Sequence, residues 1–536
     1  MTCTSSLVVS LLAAMVAVTY FDRQHNNIIH EYVARNDDIA ILSATYYNRS
    51  RRFCPSPYFQ QHSLREQHCG ATTECSPGAT PETLGAVRHI EQRLRRDENR
   101  LQRIGRLSPP SAYTSQHLRH RRGRAPRDFR IFPVVQQIPF YCKWVPFIAV
   151  GLVSEGMTSL QLATGEQGMS VSYRLPHFER HDVVACFSPL FLNERWQLLL
   201  LTAEVYSHYG AAMHFYVRSM ITDLFTLLTR YPKARIQPWP AVRLGEKRAS
   251  SSSFDPNIEL EFRNQAAAMT DCLLYYKESA KYIVFPDTDD VIIPRLGRTY
   301  FEEFERVKCF IVGRRRSQRD GSLAVLSAQQ LAVVFLLYPD AAAVAYNMSQ
   351  SAIISSETRW GKIVVRPERT DSAWIHRSYG IREGYEQVTL PIELNSALHL
   401  RFWNFNNQSQ MSDDIVPIYD PLLKNLSGAP LFNRDDLAEI NDSFVANMRQ
   451  AGSTYDRLPE VSIYYPLIEQ CYNRIFYNGE HHGKCKGPEL CDLPQFPGVR
   501  CMNVKSDYET FDGYQRIFLH RLVNARFEQS DLGCSM

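Results

Sequence analysis

Between residues 180 and 295 the apolar positions switch repeatedly between a short continuous run and a helical period. His181 to Phe187 (HDVVACF) is a β-rich apolar run. Trp196, Leu199, Leu200 and Ala203 then fall at i, i+3, i+4 and i+7, which makes one face of a helix. Ala211 to Val217 (AAMHFYV) reads as a second strand, and Met220, Leu224, Leu227 and Leu228 predict a second helix that Tyr231-Pro232 stops. Arg235 to Val242 is extended, and its prolines place it at an edge or in a loop. Met269, Cys272, Leu273 and Tyr276 mark a third helix, followed by the buried strand Lys281 to Phe285. This β-α-β-α-β-α-β order predicts an α/β fold, a mostly parallel sheet flanked by helices. Ligands of such sheets bind beyond the carboxyl ends of the strands.

The rest of the chain is patterned differently. Leu7 to Phe21 is almost continuously apolar but short for a bilayer of about 30 Å. It reads as a signal anchor or a signal peptide, with a buried helix as the plain alternative, and sets 1–21 apart from the remainder of the chain. No Lys or Arg precedes it, so flanking charge gives little orientation. Residues 22–130 carry Cys54, Cys69 and Cys75, a Pro/Thr/Gly stretch and many arginines, and read as a basic, partly disordered stem. Between Arg88 and Arg124 a single aromatic, Tyr113, interleaves the arginines, too few to stack successive bases, which argues against nucleic acid. Residues 131–455 form the catalytic candidate, and 456–536 form a cysteine-bearing C-terminal extension.

Composition narrows the class. The chain has 536 residues, 44% of them hydrophobic, which excludes a wholly disordered protein. A net charge of +4 from 60 basic and 56 acidic residues is too balanced for a dedicated nucleic-acid binder. Of 13 cysteines only Cys3 precedes the apolar run, and an even remainder suits disulfides in an oxidising lumen. Cys471, Cys485, Cys491, Cys501 and Cys534 cluster in loop-rich sequence, where disulfides would clamp segments without a periodic apolar face. Zinc on Cys485, Cys491 and His481 or His482 is the rival, with a spacing unlike a zinc finger. Asn48, Asn347, Asn407, Asn425 and Asn441 each begin an Asn-x-Ser glycosylation sequon.

The chemistry concentrates at one strand end. KYIVFPDTDDVIIP sets Asp287, Asp289 and Asp290 directly after an apolar strand, between Pro286 and Pro294. Asp287 and Asp289 are two apart, so in extended chain they face the same way. Three carboxylates this close repel one another unless a cation lies between them. Mn²⁺ or Mg²⁺ fits such a site, held by one or two carboxylates plus substrate phosphates. An acidic turn after a strand is the plain alternative. With no glycine-rich phosphate loop present, the phosphates of a nucleotide sugar would rely on the metal and on basic side chains.

The pieces CFSPLFLNERW (186–196), GAAMHFYVRSM (210–220), NQAAAMTDCLLYYKESAKYIVFPDTDD (264–290), SAWIHRSYG (372–380), ALHLRFW (397–403) and the tail CKGPELCDLP (485–494) resemble glycosyltransferase family 92. The resemblance implies a GT-A fold, a Golgi type II membrane protein with a luminal catalytic domain, and a nucleotide sugar and a glycan acceptor as partners. The implied reaction moves galactose from UDP-galactose with inversion. On this chain it makes Asp287 and Asp289 the metal motif and His399 a further metal contact. Asp290 stands where the family often has Glu, and the middle of His399 to Arg401 lacks an aromatic that the family often has.

Arg218, Asp290 and Arg401 are the candidate donor contacts. Inversion needs a base on the acceptor hydroxyl, and Glu383 and Glu386, in the glycine-containing loop REGYEQ, are the candidates, with Asp371 behind them. His376 reads as a core histidine. The alternatives to a transferase are a non-catalytic carbohydrate-binding protein of the secretory pathway and another metal-dependent phosphotransferase.

Overall fold

The computed structural model describes residues 5–14, 16–22, 27–33, 38–47, 130–134, 142, 144–153, 160–164, 167–242, 256–260, 264–314, 323–335, 353–355, 361–390, 395–402, 415–417, 434–477, 485, 487–512 and 518–536. The predicted alternation is present. Strand β1 (His181–Leu190) leads to helix α1 (Trp196–His208), then β2 (Ala212–Val217), β3 (Ser219–Ile221), α2 (Thr222–Leu228) and β4 (Ala234–Pro238). Helix α3 (Gln265–Tyr276), β5 (Ala280–Val284), β6 (Asp290–Ile292) and α4 (Tyr300–Arg314) follow. The central sheet continues with β7 (Leu323–Phe335), β8 (Lys362–Val365), β9 (Glu386–Thr389) and β10 (Ser396–Phe402).

The sheet order runs β4-β2-β1-β5-β8-β7. The first four strands are parallel, and β8 is antiparallel to both of its neighbours. β4 is the edge that its prolines demand. Alternate residues of β1 enter opposite cores: Val183, Ala185 and Phe187 pack on the α1 side, and Val184 and Cys186 on the α3 side. A strand buried on both faces has no polar face to show, which is why its sequence is continuously apolar. The disulfide Cys186–Cys272 ties β1 to α3.

Two expectations change. Met220 lies in strand β3 rather than in the second helix, because it pairs with Met502 of β11 (Cys501–Asp512). No local pattern reveals a partner that distant. The segment after 456 is also woven into the catalytic body, not appended to it. β11 and β12 (Phe518–Ser530) form a hairpin in a second sheet that also holds β3 and the strands Ser5–Ala14, Asp38–Tyr47, Arg130–Pro133 and Trp144–Val153. The buried Glu194 carboxylate accepts the backbone N–H groups of Ile463, Tyr464 and Tyr465, at 2.7, 2.7 and 2.8 Å. This anion sits at the start of helix α6 (Tyr465–Tyr472), where the helix dipole favours it. Helix α5 (Arg434–Ala451) is docked through buried Glu204, which binds Tyr231, Ser443 and Asn447.

The apolar run expected as an anchor or leader falls in two strands, Ser5–Ala14 and Val16–Asp22. Among the described residues no helix is long and apolar enough to cross a membrane. Most of the stem segment lies outside the described residues. Among the described residues, disulfides join Cys142–Cys485, Cys186–Cys272, Cys471–Cys491 and Cys501–Cys534. Cys485 and Cys491 are therefore each bonded to another sulfur, which removes the zinc alternative. Cys186–Cys272 closes a separation of 86 residues, and the chain-entropy account values such a closure at about 4.6 kcal/mol before native-state strain. Cys186→Ala/Cys272→Ala should lower the unfolding free energy by ~2–4 kcal/mol in urea titration, and an unchanged midpoint would count against this bond.

Candidate active site

The acidic motif begins three residues past the end of β5, at the carboxyl ends of the parallel strands. Asp287, Asp289 and Asp290 present carboxylate oxygens that lie within 4.8 Å of one another. Ser188, near the end of β1, donates to Asp287 Oδ1 at 2.5 Å. Gln265, the first residue of α3, donates to Ser188 Oγ at 2.6 Å and lies 3.4 Å from Asp287 Oδ1. Thr202 on α1 donates to the Thr288 carbonyl at 2.7 Å. The motif is thus held from β1, α1 and α3 together.

A cation does lie between the carboxylates, and it belongs to the protein. Lys362, the first residue of β8, places Nζ 2.8 Å from Asp287 Oδ2 and 2.9 Å from Asp290 Oδ2. Its side chain is 2% exposed and that of Asp290 is 0% exposed. Burial alone would lower the ammonium pKa, but Asp287 and Asp290 outweigh it and hold the group charged above its ordinary value. Asp290 is therefore a buried structural partner of Lys362, not the donor contact expected from its position. Lysine in the apolar run Lys362–Val365 was the available signal, since a charge there must find a partner.

The antiparallel direction of β8 decides what else reaches the motif. Lys362 is at the motif end, and β8 runs back toward the amino end of β5, Val364 pairing with Val284 and Val365 with Ile283. The chain then makes an excursion whose base is the bridge Thr370↔Ile381 and the bond from Asp371 N–H to the Gly380 carbonyl. Ala373 reaches the level of Thr270 on α3, and His376 returns to the Gly361 carbonyl, 2.9 Å from its Nδ1. Facing a carbonyl, Nδ1 carries the proton, and Nε2 is the basic nitrogen. Burial first, then the Lys362 charge, keeps the His376 pKa below its ordinary value, while Asp287 and Asp290 act in the opposite sense. The imidazole expected in the core is thus beside the acidic motif.

The expected bases go elsewhere. Arg382 N–H binds the Arg369 carbonyl, so Glu383 is exposed at the opposite end of the sheet. Glu386 pairs with Leu323 on β7, whereas Lys362 pairs with Ala328 on the same strand. That offset alone is about 16 Å along the strand. Asp371 is held by Lys277 at 2.7 Å and Arg382 at 2.9 Å. Burial would raise its pKa, but these cations bring it down to about 2.

The remaining positions divide. β6 pairs with β10 so that Asp290 is directly opposite His399, and Arg401 follows two residues along the same strand. The backbone thus brings the C-terminal histidine to the motif as expected. Arg218 instead forms a buried ion pair with Glu489 at 2.7 Å and binds Asn257 at 3.1 Å, so its charge is already matched inside the fold. Arg195 is the cation that interacts electrostatically with Asp289, and its guanidinium sits 4.0 Å from the centre of the Tyr465 ring. Asn264, just before Gln265, is buried with φ +64° and neither side-chain polar atom hydrogen-bonded. A strained residue with an orphaned amide beside a motif is a mark of a ligand site. Asn441 lies on α5 with its Oδ1 buried, and Ser443 of its sequon binds Glu204. Asn48, Asn347, Asn407 and Asn425 lie outside the described residues.

The profile of glycosyltransferase family 92 matches residues 181–448. A Caenorhabditis elegans protein named for that family is 44% identical over 99% of this chain and 94% of its own length. The chain belongs to glycosyltransferase family 92. A second family 92 protein of the same organism is 30% identical over 71% of this chain and 73% of its own length. Among solved structures, similarity is found to the galactosyltransferase LgtC in complex with donor and acceptor sugar analogues, at 12% identity and a TM-score of 0.19, covering 51% of this chain and 95% of that one. An overlap that loose carries no argument. The family match encloses β1, the acidic motif, Lys362, His376 and His399, so the chain is a glycosyltransferase whose shared segment contains the site.

The donor set fits a hard divalent ion. Lys362 and Ser188 leave lone pairs on Asp287, and Asp289 contributes its own carboxylate, which with two phosphate oxygens makes a set that Mg²⁺ or Mn²⁺ accepts. Lys362→Met should destabilise the fold by ~3–5 kcal/mol, because it strands Asp290 as a buried unpaired anion. Lys362→Met/Asp290→Asn should recover part of that loss. Equal urea midpoints for wild type and Lys362→Met would overturn the bridging role.

Proposed function

We propose that this family 92 enzyme transfers a hexose, galactose from UDP-galactose, onto a glycan acceptor with inversion, in a GT-A site dependent on Mn²⁺ or Mg²⁺. The single observation that carries the reading is the acidic motif at the carboxyl ends of parallel strands, with Asp287 and Asp290 paired to Lys362 and Asp289 facing Arg195. Asp287, Asp289 and His399 are the residues that would hold the ion. Bound there, it supplies charge neutralisation for the departing diphosphate.

Arg195, beside Asp289, is the basic side chain best placed to meet a phosphate oxygen, with Arg401 on the opposite strand. The unpartnered amide of Asn264 is a ready hydrogen-bonding group for the donor. His376 takes the acceptor proton on Nε2, while the Gly361 carbonyl fixes the ring through Nδ1. Four disulfides support an oxidising compartment, and Golgi placement with the catalytic domain in the lumen is part of the same proposal. Membrane attachment through the N-terminal apolar run is a separate proposal, read by alkaline extraction of the full chain.

Asp289→Ala should abolish Mn²⁺-dependent transfer from UDP-galactose while leaving the melting temperature near wild type. Retained transfer would falsify the metal role, and a screen of nucleotide sugars against fucosylated and unfucosylated N-glycans would correct the donor. His376→Ala should lower kcat by about 10²–10⁴-fold, the usual contribution of a positioned base, with Mn²⁺ binding unchanged. An unaffected kcat returns the search for the base to other residues.

A further inference from the structure

A second cluster of ligand-type side chains lies at the other end of β1. His177, Glu179 and His181 lie on a segment that bends at Glu179 just before β1, and their ligand atoms lie within 4.8 Å of one another. The Nε2 atoms of His177 and His181 are 2.9 Å apart, and Glu179 Oε2 lies 4.0 Å from His177 Nε2. The backbone holds both histidines in place: His177 N–H donates to the Tyr275 carbonyl at 2.8 Å and His181 N–H to the Ser279 carbonyl at 3.0 Å. Tyr276 packs edge-on against both rings, with centroids at 5.1 and 5.8 Å. Glu179 is 77% exposed, which leaves its carboxylate free to swing.

We propose that His177, Glu179 and His181 bind a zinc-class divalent ion, distinct from the cation of the acidic motif. Two imidazole nitrogens and one carboxylate match the borderline preference of Zn²⁺ and are poorly suited to Mg²⁺ or Ca²⁺. The ring centroids are 5.0 Å apart with the nitrogens facing one another, so the ion-free pair shares one Nε2–H between two nitrogens. On metal binding that proton moves to Nδ1 of its own ring, so no net proton is lost, and both Nε2 lone pairs turn to the ion. A tetrahedral ion with Zn–N of about 2.0 Å needs the nitrogens about 3.3 Å apart, an opening of a few tenths of an ångström accompanied by rotation of the rings. Glu179 closes the third position and water the fourth. Burial first lowers the pKa of both histidines, and the neighbouring His177 lowers that of His181 further, against the raising effect of Glu179 on each, so both rings favour the neutral form that ligates a metal. Ser188, which touches Asp287, is seven residues along β1 from His181, or about 23 Å. The ion would cross-link residues 177–181 ahead of β1, a segment that backbone bonds already hold against Tyr275 and Ser279, without entering the transfer site.

The test is Zn²⁺ titration of the full chain by calorimetry with Mn²⁺ saturating the acidic motif, and Co²⁺ visible absorption as a second probe. Wild type should bind Zn²⁺ and give a Co²⁺ spectrum of low coordination number. His177→Ala/His181→Ala should lose both signals, and Glu179→Gln, which touches no core, should weaken Zn²⁺ by about 10–100-fold, the scale on which metal sites respond to lost support. Asp289→Ala should keep the Zn²⁺ signal, which separates this proposal from the transferase reading. Undiminished Zn²⁺ binding in the double variant, or in Glu179→Gln should the double variant fail to fold, overturns it.

Discussion

A buried ammonium between two carboxylates organises the site. At the 4.8 Å limit of their separation, two carboxylates repel by about 3–4 kcal/mol at an effective dielectric of ~20. That is a large share of the ~5–15 kcal/mol by which a domain exceeds its unfolded state. Lys362 answers the repulsion from across the sheet, on the strand antiparallel to β5. Its ammonium meets one oxygen of each carboxylate, and Asp290 Oδ2 also accepts the Asp287 N–H. The consequence is a graded motif: Asp290 is fully buried on Lys362, Asp287 is shared between Lys362 and Ser188, and Asp289 interacts with Arg195. A motif that looks like three equivalent acids is three different groups once its counter-charge is in place.

The reversal of β8 has the second largest effect. A parallel strand would deliver the residues after it to the ligand end of the sheet. β8 delivers them to the other end, so Asp371, Glu383 and Glu386 are carried away and Asp371 is spent on Lys277 and Arg382. The excursion between Thr370 and Ile381 then brings one residue back, and that residue is His376. The result exchanges the roles that loop position alone assigns to these groups.

The C-terminal segment braces this arrangement. Glu194 caps α6 directly after the end of β1, Arg218 is locked by Glu489, and β11 pairs with β3 just past β2. Each contact fastens the chain just past the carboxyl ends of the parallel strands β1 and β2. The disulfides Cys471–Cys491 and Cys501–Cys534 staple the brace itself. A catalytic end held this way resists the loosening expected of a rim made of loops.

The order of strands and helices from His181 to Val284, the edge position of β4 and the motif at the end of β5 were legible in the sequence. Each rests on local periodicity or on the direction of neighbouring residues, which the chain carries in a few consecutive positions. The opposition of Asp290 and His399 was anticipated only through family resemblance. What tertiary structure alone decided is which charge meets which. Lys362 is 75 residues from Asp287 and Glu489 is 271 from Arg218, and no periodicity spans such distances. Met220 joined a strand for the same reason. Local pattern specifies which face a residue turns inward, but an ion pair or a cross-strand partner is specified by the path of the whole chain.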